Sequence, residues 1–323
     1  MINCFTCLRI STPFAIGPTN VYLFRGDVPT LIDTGPDWPP ARRALCDALA
    51  KEGLAPGDIG RVLITHGHSD HSGLAGWFHG LGAKVYIHPD EAAKLSGIPL
   101  FTYREEFLRK MGTAPQALDS FRQVGENNFN GYLSEFLPLR EGQHIDLGRF
   151  RLTVLAVPGH CGGHVAFLQK DQALLFGGDT LLQHVSPNPL PELHLQPGGR
   201  TKSLAAYLTT LDRLEKLSLA AVYPGHGKTV LQPGQRISAV REQHRDRLGK
   251  MLALVGNGST PYDVATRLYR LLTGWDVYLA VAEACAHLDW LTDRGWLTET
   301  QNDPAASTMF TPTGKEWTGE IQG

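Results

Sequence analysis

The stretch "LITHGHSDHSG", residues 63 to 73, constrains the fold of this chain more tightly than any other. It sets His66, His68, Asp70 and His71 within six positions, directly behind a hydrophobic run. In open α/β sheets, ligands gather beyond the carboxyl ends of strands. A strand ending at Thr65 therefore delivers four ligand-type side chains to a sheet rim, and the rest of the fold must meet them there. The His-x-His pair puts two imidazoles on the same side of an extended turn, while the adjacent Asp70 and His71 point elsewhere. That arithmetic suits two neighbouring metals better than one. A single histidine in such a loop would more simply be a solvated residue; four candidate ligands among glycines and serines leave that reading little room.

The surrounding chain reads as alternating strands and helices. "VYLFRG" (21–26) and "TLIDTG" (30–35) form a hairpin turning at Gly26, Asp27 and Pro29. A helix over 39–52 leads to the strand "RVLIT" (61–65), and "KVYIH" (84–88) is the next. From 136 onward the grammar repeats, with strands at 150–159, 164–169 and 173–180, a helix over 201–217 and a strand and loop at 220–227. Two strand-rich halves, each covered by helices, predict an α/β layered sandwich. Between them, residues 98–135 read as a helical, amphipathic cap over a site.

Three later strand ends carry what the first loop lacks. "VPGHCGGH" places His160 after the strand ending at Val157, "LFGGDT" places Asp179 after the one ending at Phe176, and "VYPGHG" places His226 after the one ending at Tyr223. Each is a Gly-flanked ligand-type residue behind an apolar strand. From about residue 237 the texture turns helical. The helices lie near 237–254, from Ser259 or Thr260 with Pro261 in its first turn, and near 277–294. A short polar strand follows Gly295. This layout predicts a winged-helix-like C-terminal domain over 236–323, behind a catalytic domain over 1–235.

Composition bounds the partners. With 30 Lys and Arg against 32 Asp and Glu, the net charge of −2 exerts no global pull on nucleic acid or anionic membrane. Within 236–300 the basic and acidic residues balance, eight against eight, and only Arg236–Lys250 is locally basic. Nucleic acid is therefore a possible partner but not the favoured one. No run approaches the roughly 18 apolar residues of a membrane span, so no membrane partner is expected. Five scattered cysteines, the CxxC of Cys4 and Cys7 included, make poor material for a disulfide framework. The first residues lack the basic lead of an export signal. Both features predict a cytoplasmic protein.

Together, "THGHSDH" (65–71), "PGHCGGH" (158–164), "GGDT" (177–180) and "YPGHG" (223–227) resemble the metallo-β-lactamase superfamily, and "LIDTG" with Asp33 is similar to its N-terminal motif. The resemblance spans about 1–235. It implies the αββα sandwich and a dinuclear site. In that pattern His66, His68 and His160 bind one metal, Asp70, His71 and His226 bind the second, and Asp179 bridges both. Asp33 would orient the histidine loop from behind, unless it is simply a turn aspartate. Two cations about 3.5–4 Å apart share a hydroxide whose pKa falls toward about 7, and that hydroxide attacks a carbonyl or phosphorus. Asp70 and Asp179 hold the charge balance and relay the proton. Zinc is the expected metal, with iron and manganese as alternatives.

The family covers many substrates, so the fold does not give one. The first residues do not read as the export signal that secreted β-lactamases need, and His68 stands where the oxygen-reducing branch carries a glutamate, so neither branch is the expected one. It has no room between Asp179 and His226 for the inserted domain of the large nucleases. The leading reading is a glyoxalase II-like hydrolase of a small-molecule thioester or ester. The alternatives are an endoribonuclease-like enzyme acting on single-stranded RNA and a non-catalytic metal-binding regulator. The tail could equally mediate a homodimer. His164 is expected to be structural and Cys161 to be packing, and His88, His144, His244 and His287 are expected to be ordinary. His184, Asn188, Tyr103 and Arg104 are candidates for lining a substrate pocket.

Overall fold

In the computed structural model, which describes residues 5–125, 129–148, 150–192, 200–301 and 306–321, two sheets lie between layers of helix. The first has six strands in chain order: β1 (Phe5–Ile10), β2 (Thr19–Phe24), β3 (Thr30–Ile32), β4 (Arg61–Leu63), β5 (Lys84–Ile87) and β6 (Leu137–Pro138). The second has five, β7 (His144–Asp146), β8 (Arg151–Ala156), β9 (Val165–Gln169), β10 (Leu174–Gly178) and β11 (Ala221–Pro224), again side by side in chain order. Pairing is parallel from β3 to β6 and between β10 and β11, and antiparallel elsewhere.

Period-2 alternation explains why the sheets stack. In β2, Tyr22 and Phe24 join Ile32, Leu63, Val154, Phe167 and Phe176 in the layer between the sheets. Val21 and Leu23 face the other way, onto Leu45 and Leu49 of α1 (Pro39–Lys51) and Phe78 of α3 (Ala75–Gly80). Every residue of β2 is buried, as expected of a strand covered on both sides. β1 is the element the sequence reading missed. It pairs along its whole length with β2, and its Phe5 ring packs edge-on against Phe176 and Tyr223, with centroids 4.9 and 4.8 Å away.

The remaining helices are α2 (Ser69–Ser72), α4 (Pro89–Ala92), α5 (Leu100–Lys110), α6 (Pro115–Val124), α7 (Ser203–Lys216), α8 (Pro233–Val255), α9 (Pro261–Leu268) and α10 (Trp275–Asp293). The 98–135 cap is helical only as far as Val124, and the chain at 129–136 is irregular. α9 starts at Thr260, which forms a reciprocal capping box with Asp263. A two-stranded hairpin of β12 (Leu297–Thr300) and β13 (Met309–Pro312) follows α10.

The residue 235/236 boundary falls inside α8. One buried cluster joins Val240 and Met251 of α8 and Val281 of α10 to Leu211 of α7, Val222 of β11 and Phe107 and Phe121 of the cap. The C-terminal helices therefore share a core with the second sheet and the cap. Among the described residues no helix is long and apolar enough to cross a membrane. No disulfide is present among them; Cys4 lies outside the described residues, and Cys7 is exposed on β1.

Candidate metal centre

All seven predicted side chains converge where the carboxyl ends of β4, β10 and β11 and the loop after β8 meet. Three overlapping groups have ligand atoms close enough to share an ion: His66, His68 and His160; His66, His71 and Asp179; Asp70, His71 and His226.

Hydrogen bonds from behind fix each ring. Asp33 sits at the end of β3 in the left-handed region, φ 61°, a strained position that surrounding structure must hold. Its Oδ1 accepts from the Thr65 backbone N–H at 2.8 Å, and its Oδ2 lies 2.9 Å from Thr65 Oγ1 and 2.9 Å from His71 Nδ1. With the Thr65 hydroxyl donating to Asp33, that oxygen is left to accept from His66 Nδ1, 3.0 Å away. His160 Nδ1 donates to the Asn188 carbonyl at 2.9 Å, and His226 Nδ1 to the Pro18 carbonyl at 3.0 Å. These assignments follow from the partners. They leave the Nε2 lone pairs of His66, His71, His160 and His226 facing inward, as ligating histidines require.

That arrangement asks for cations. His71 Nε2 and His226 Nε2 face each other at 3.2 Å, and His160 Nε2 faces His68 Nδ1 at 3.0 Å. His66 Nε2 and Asp179 Oδ1 are buried without a hydrogen-bond partner, which is costly unless something else satisfies them. Asp70 Oδ2 lies 3.2 Å from His226 Nε2. Asp179 reaches both halves: Oδ1 is 3.5 Å from His71 Nε2, and Oδ2 is 3.7 Å from His226 Nε2 and 3.9 Å from His160 Nε2. The nitrogen and oxygen donor set fits a pair of transition-metal ions.

The electrostatics agree. Burial opposes protonation of His71, yet Asp179, Asp70 and Asp33 hold it well above the ordinary histidine range. Burial and then neighbouring imidazoles push His66 and His68 well below it. Burial would raise the Asp179 carboxyl, but His226 and His71 hold it well below the usual range. One half of the site carries concentrated negative charge and the other neutral imidazole.

Two backbone approaches require glycine. A Cβ on Gly225 would stand 2.4 Å from His71 Cε1 and 2.5 Å from Asp179 Oδ1. Gly178, at φ 50°, would meet His164 Nε2 and the Thr65 hydroxyl, each at 2.7 Å. β2 anchors the His226 loop: Asn20 Nδ2 and Tyr22 Oη both donate to the Pro224 carbonyl, at 2.9 and 2.6 Å.

Beside the ligands lies a cavity of about 610 Å³. His68 is the predicted ligand that lines it, with Tyr103, Arg104, Cys161 and Tyr278. Tyr103 and Arg104 thus stand where the cap was expected to present them. His184 and Asn188 do not line it: His184 is exposed, and Asn188 acts through its backbone carbonyl on His160. His164 is buried, with Nδ1 3.5 Å from Thr180 Oγ1, and burial lowers its pKa to about 3.

One group escaped the sequence reading. Glu91 of α4 is fully buried and accepts from the backbone N–H groups of Gly67 and Gly163, at 2.7 and 2.9 Å. It thereby ties the His66–His71 loop to the His160 loop. Lys94 pairs with Glu91 at 2.8 Å and also with Glu192.

The fold and the clustered ligands define a metallo-hydrolase, and the chain belongs to the metallo-beta-lactamase superfamily, whose family model matches residues 15–226. Its His/Asp groups are consistent with a dinuclear site. It is 31% identical over 296 residues to the probable metallo-hydrolase YqjP of Bacillus subtilis (strain 168), covering 88% of this chain and 91% of that protein. Among solved structures, the metallo-beta-lactamase family protein TTHA1429 from Thermus thermophilus superposes with a TM-score of 0.82 at 30% identity, covering 96% of this chain and 99% of that one. A beta-lactamase domain protein from Burkholderia ambifaria gives 0.83 at 26% identity, covering 97% and 93%.

Proposed function

We propose that this protein hydrolyses a small-molecule thioester or ester at a dinuclear centre, in the manner of glyoxalase II. His66, His68 and His160 would hold the first metal and Asp70, His71 and His226 the second, with Asp179 shared between the two. Zinc suits the histidine-rich donor set best, with iron or manganese as alternatives. When bound, the metals supply an activated water and a Lewis acid for the carbonyl oxygen. The chain's own residues do the rest. Asp33 and the carbonyls of Asn188 and Pro18 take up the outer N–H of the His71, His160 and His226 rings, so that each imidazole, when neutral, turns its inner nitrogen toward the metals. Glu91 holds the two histidine loops at fixed separation, and Asp70 and Asp179 balance the charge and would relay the proton that the activated water gives up.

The observation that carries the substrate class is the cavity of about 610 Å³ opening on His68, a volume typical of sites for small ligands. Tyr278 of α10 forms part of its wall, so the C-terminal helices contribute to substrate enclosure. We propose that this winged-helix-like tail serves the cavity and a homodimer contact rather than a nucleic acid. The test assays purified protein against a thioester panel, a generic phosphodiester and single-stranded RNA, with and without chelator. Chelator-sensitive thioester cleavage is expected. Metal-dependent cleavage of RNA alone would replace this reading with the endoribonuclease one, and inertness toward every substrate with both metals bound would favour a regulatory protein.

A further inference from the structure

The cavity wall away from the metal ligands carries three cations, and their partners differ. Lys94 is held by Glu91 and Glu192, and Lys202 by Asp289 and Asp293. Arg104, on α5, has no carboxylate partner among the described residues. Its sequence neighbours do not supply one: Glu105 pairs with Arg109 and Arg122, and Glu106 with Lys110. The half-buried Arg104 guanidinium instead lies over two aromatic rings, 5.2 Å from the Trp275 centroid and 5.6 Å from that of Tyr278. Stacking of this kind holds the guanidinium plane; the Tyr278 hydroxyl also lies within reach of one N–H, and the others are left to donate. The lining of the same cavity includes the apolar Leu100, Phe107, Leu190 and Pro191, and Arg104 lies close enough to His68 to act on it electrostatically.

Building on the ester-hydrolase reading, we propose that Arg104 is a specificity residue that receives a carboxylate on the acyl part of the substrate. A short apolar segment then separates this carboxylate from the scissile carbonyl at the metals. A planar fork of donors matches a carboxylate bidentately. One cation without a carboxylate partner among the described residues also answers one negative charge, whereas a nucleic-acid backbone calls for a row of them. Lys94 and Lys202 add field, but their own carboxylates already satisfy them. The substrate class is thus a monoanionic acyl thioester or ester.

The test compares two acyl thioesters of equal chain length, glutaryl and pentanoyl, on the metal-loaded full chain and on Arg104→Met and Arg104→Lys. A charge-assisted bidentate contact predicts that the wild type favours glutaryl by about tenfold or more in kcat/KM. The preference should collapse in Arg104→Met and survive in part in Arg104→Lys. A wild-type preference for pentanoyl, or a glutaryl preference unchanged by Arg104→Met, would overturn the assignment while leaving ester hydrolysis intact. Ligand-observed NMR of glutaramate, which pairs one carboxylate with a neutral acyl carbonyl, against uncharged pentanamide on the chelated full chain reads the same contact without turnover. Selective glutaramate binding weakened in Arg104→Met supports the site even if neither thioester is cleaved, and equal binding in both proteins rejects it.

Discussion

Asp33 shows how much a residue outside the ligand set contributes. Its two oxygens serve the Thr65 amide, the Thr65 hydroxyl and His71 Nδ1 together, so one carboxylate fixes the tautomers of both His66 and His71. Asp33→Asn can accept from only one side and presents an N–H where His71 needs an acceptor. It should weaken metal affinity by about 10- to 100-fold, as read by competition with a chromogenic chelator, with far-UV circular dichroism unchanged. Gly225→Ala acts by contact instead. Its methyl would occupy the space of His71 Cε1 and Asp179 Oδ1, so elemental analysis should find fewer than two metals per chain. A full complement would show that the loop after β11 yields without cost.

At the scale of elements, the sequence was most readable where chemistry and secondary structure are adjacent in the chain. Each ligand follows an apolar strand by a few residues and sits among glycines, so β4, β8, β10 and β11 announced His66, His160, Asp179 and His226 by local pattern alone. Glu91 carried no such signal. It lies in "HPDEAAK", an ordinary solvated helix start, and acquires its role only because the loops at Gly67 and Gly163 close over it. Asn188 reads as a pocket residue by its side chain, whereas its carbonyl does the work on His160, and no residue type encodes that. His244 and His287 read as ordinary for the same reason. Burial of α8 against α10 makes them a pair, His244 Nδ1 lying 3.0 Å from His287 Nε2, with Ser186 Oγ 2.9 Å from His244 Nε2. Burial lowers the His287 pKa from 6.5 to about 4. Its neutral form is therefore favoured by folding, and the stability it contributes is complete above pH 6.5 and is lost as pH falls toward 4. The drop amounts to roughly 3 kcal/mol. Thermal melts of chelated protein across that window should show falling Tm. His287→Gln, which cannot take up the proton, should flatten part of the slope, and an identical slope would remove this pair from the account.

On the scale of the whole molecule, the metal centre joins the two sheets. His66, His68, Asp70 and His71 descend from β4 of the first sheet, and His160, Asp179 and His226 from β8, β10 and β11 of the second. Away from the site the sheets are held by the apolar layer around Phe24, Phe167 and Phe176. At the rim they meet through paired lone pairs and carboxylates that repel unless a cation lies between them. Metal binding is therefore expected to act as a staple whose free energy appears as fold stability. With free metal at about 100 times Kd it should add about 2.7 kcal/mol per site, before any cooperativity between sites. Because the staple sits at one edge, the effect should also be directional. Hydrogen exchange after chelation should accelerate at residues 64–72, 157–164 and 178–180, while the amides of β1 and β2 keep their protection. Uniform acceleration across both sheets would mean that the apolar layer cannot hold the sandwich without metal. No acceleration at all would mean that the seven side chains hold their geometry unaided, and the repulsion inferred from their facing nitrogens would then be relieved by protonation of His71.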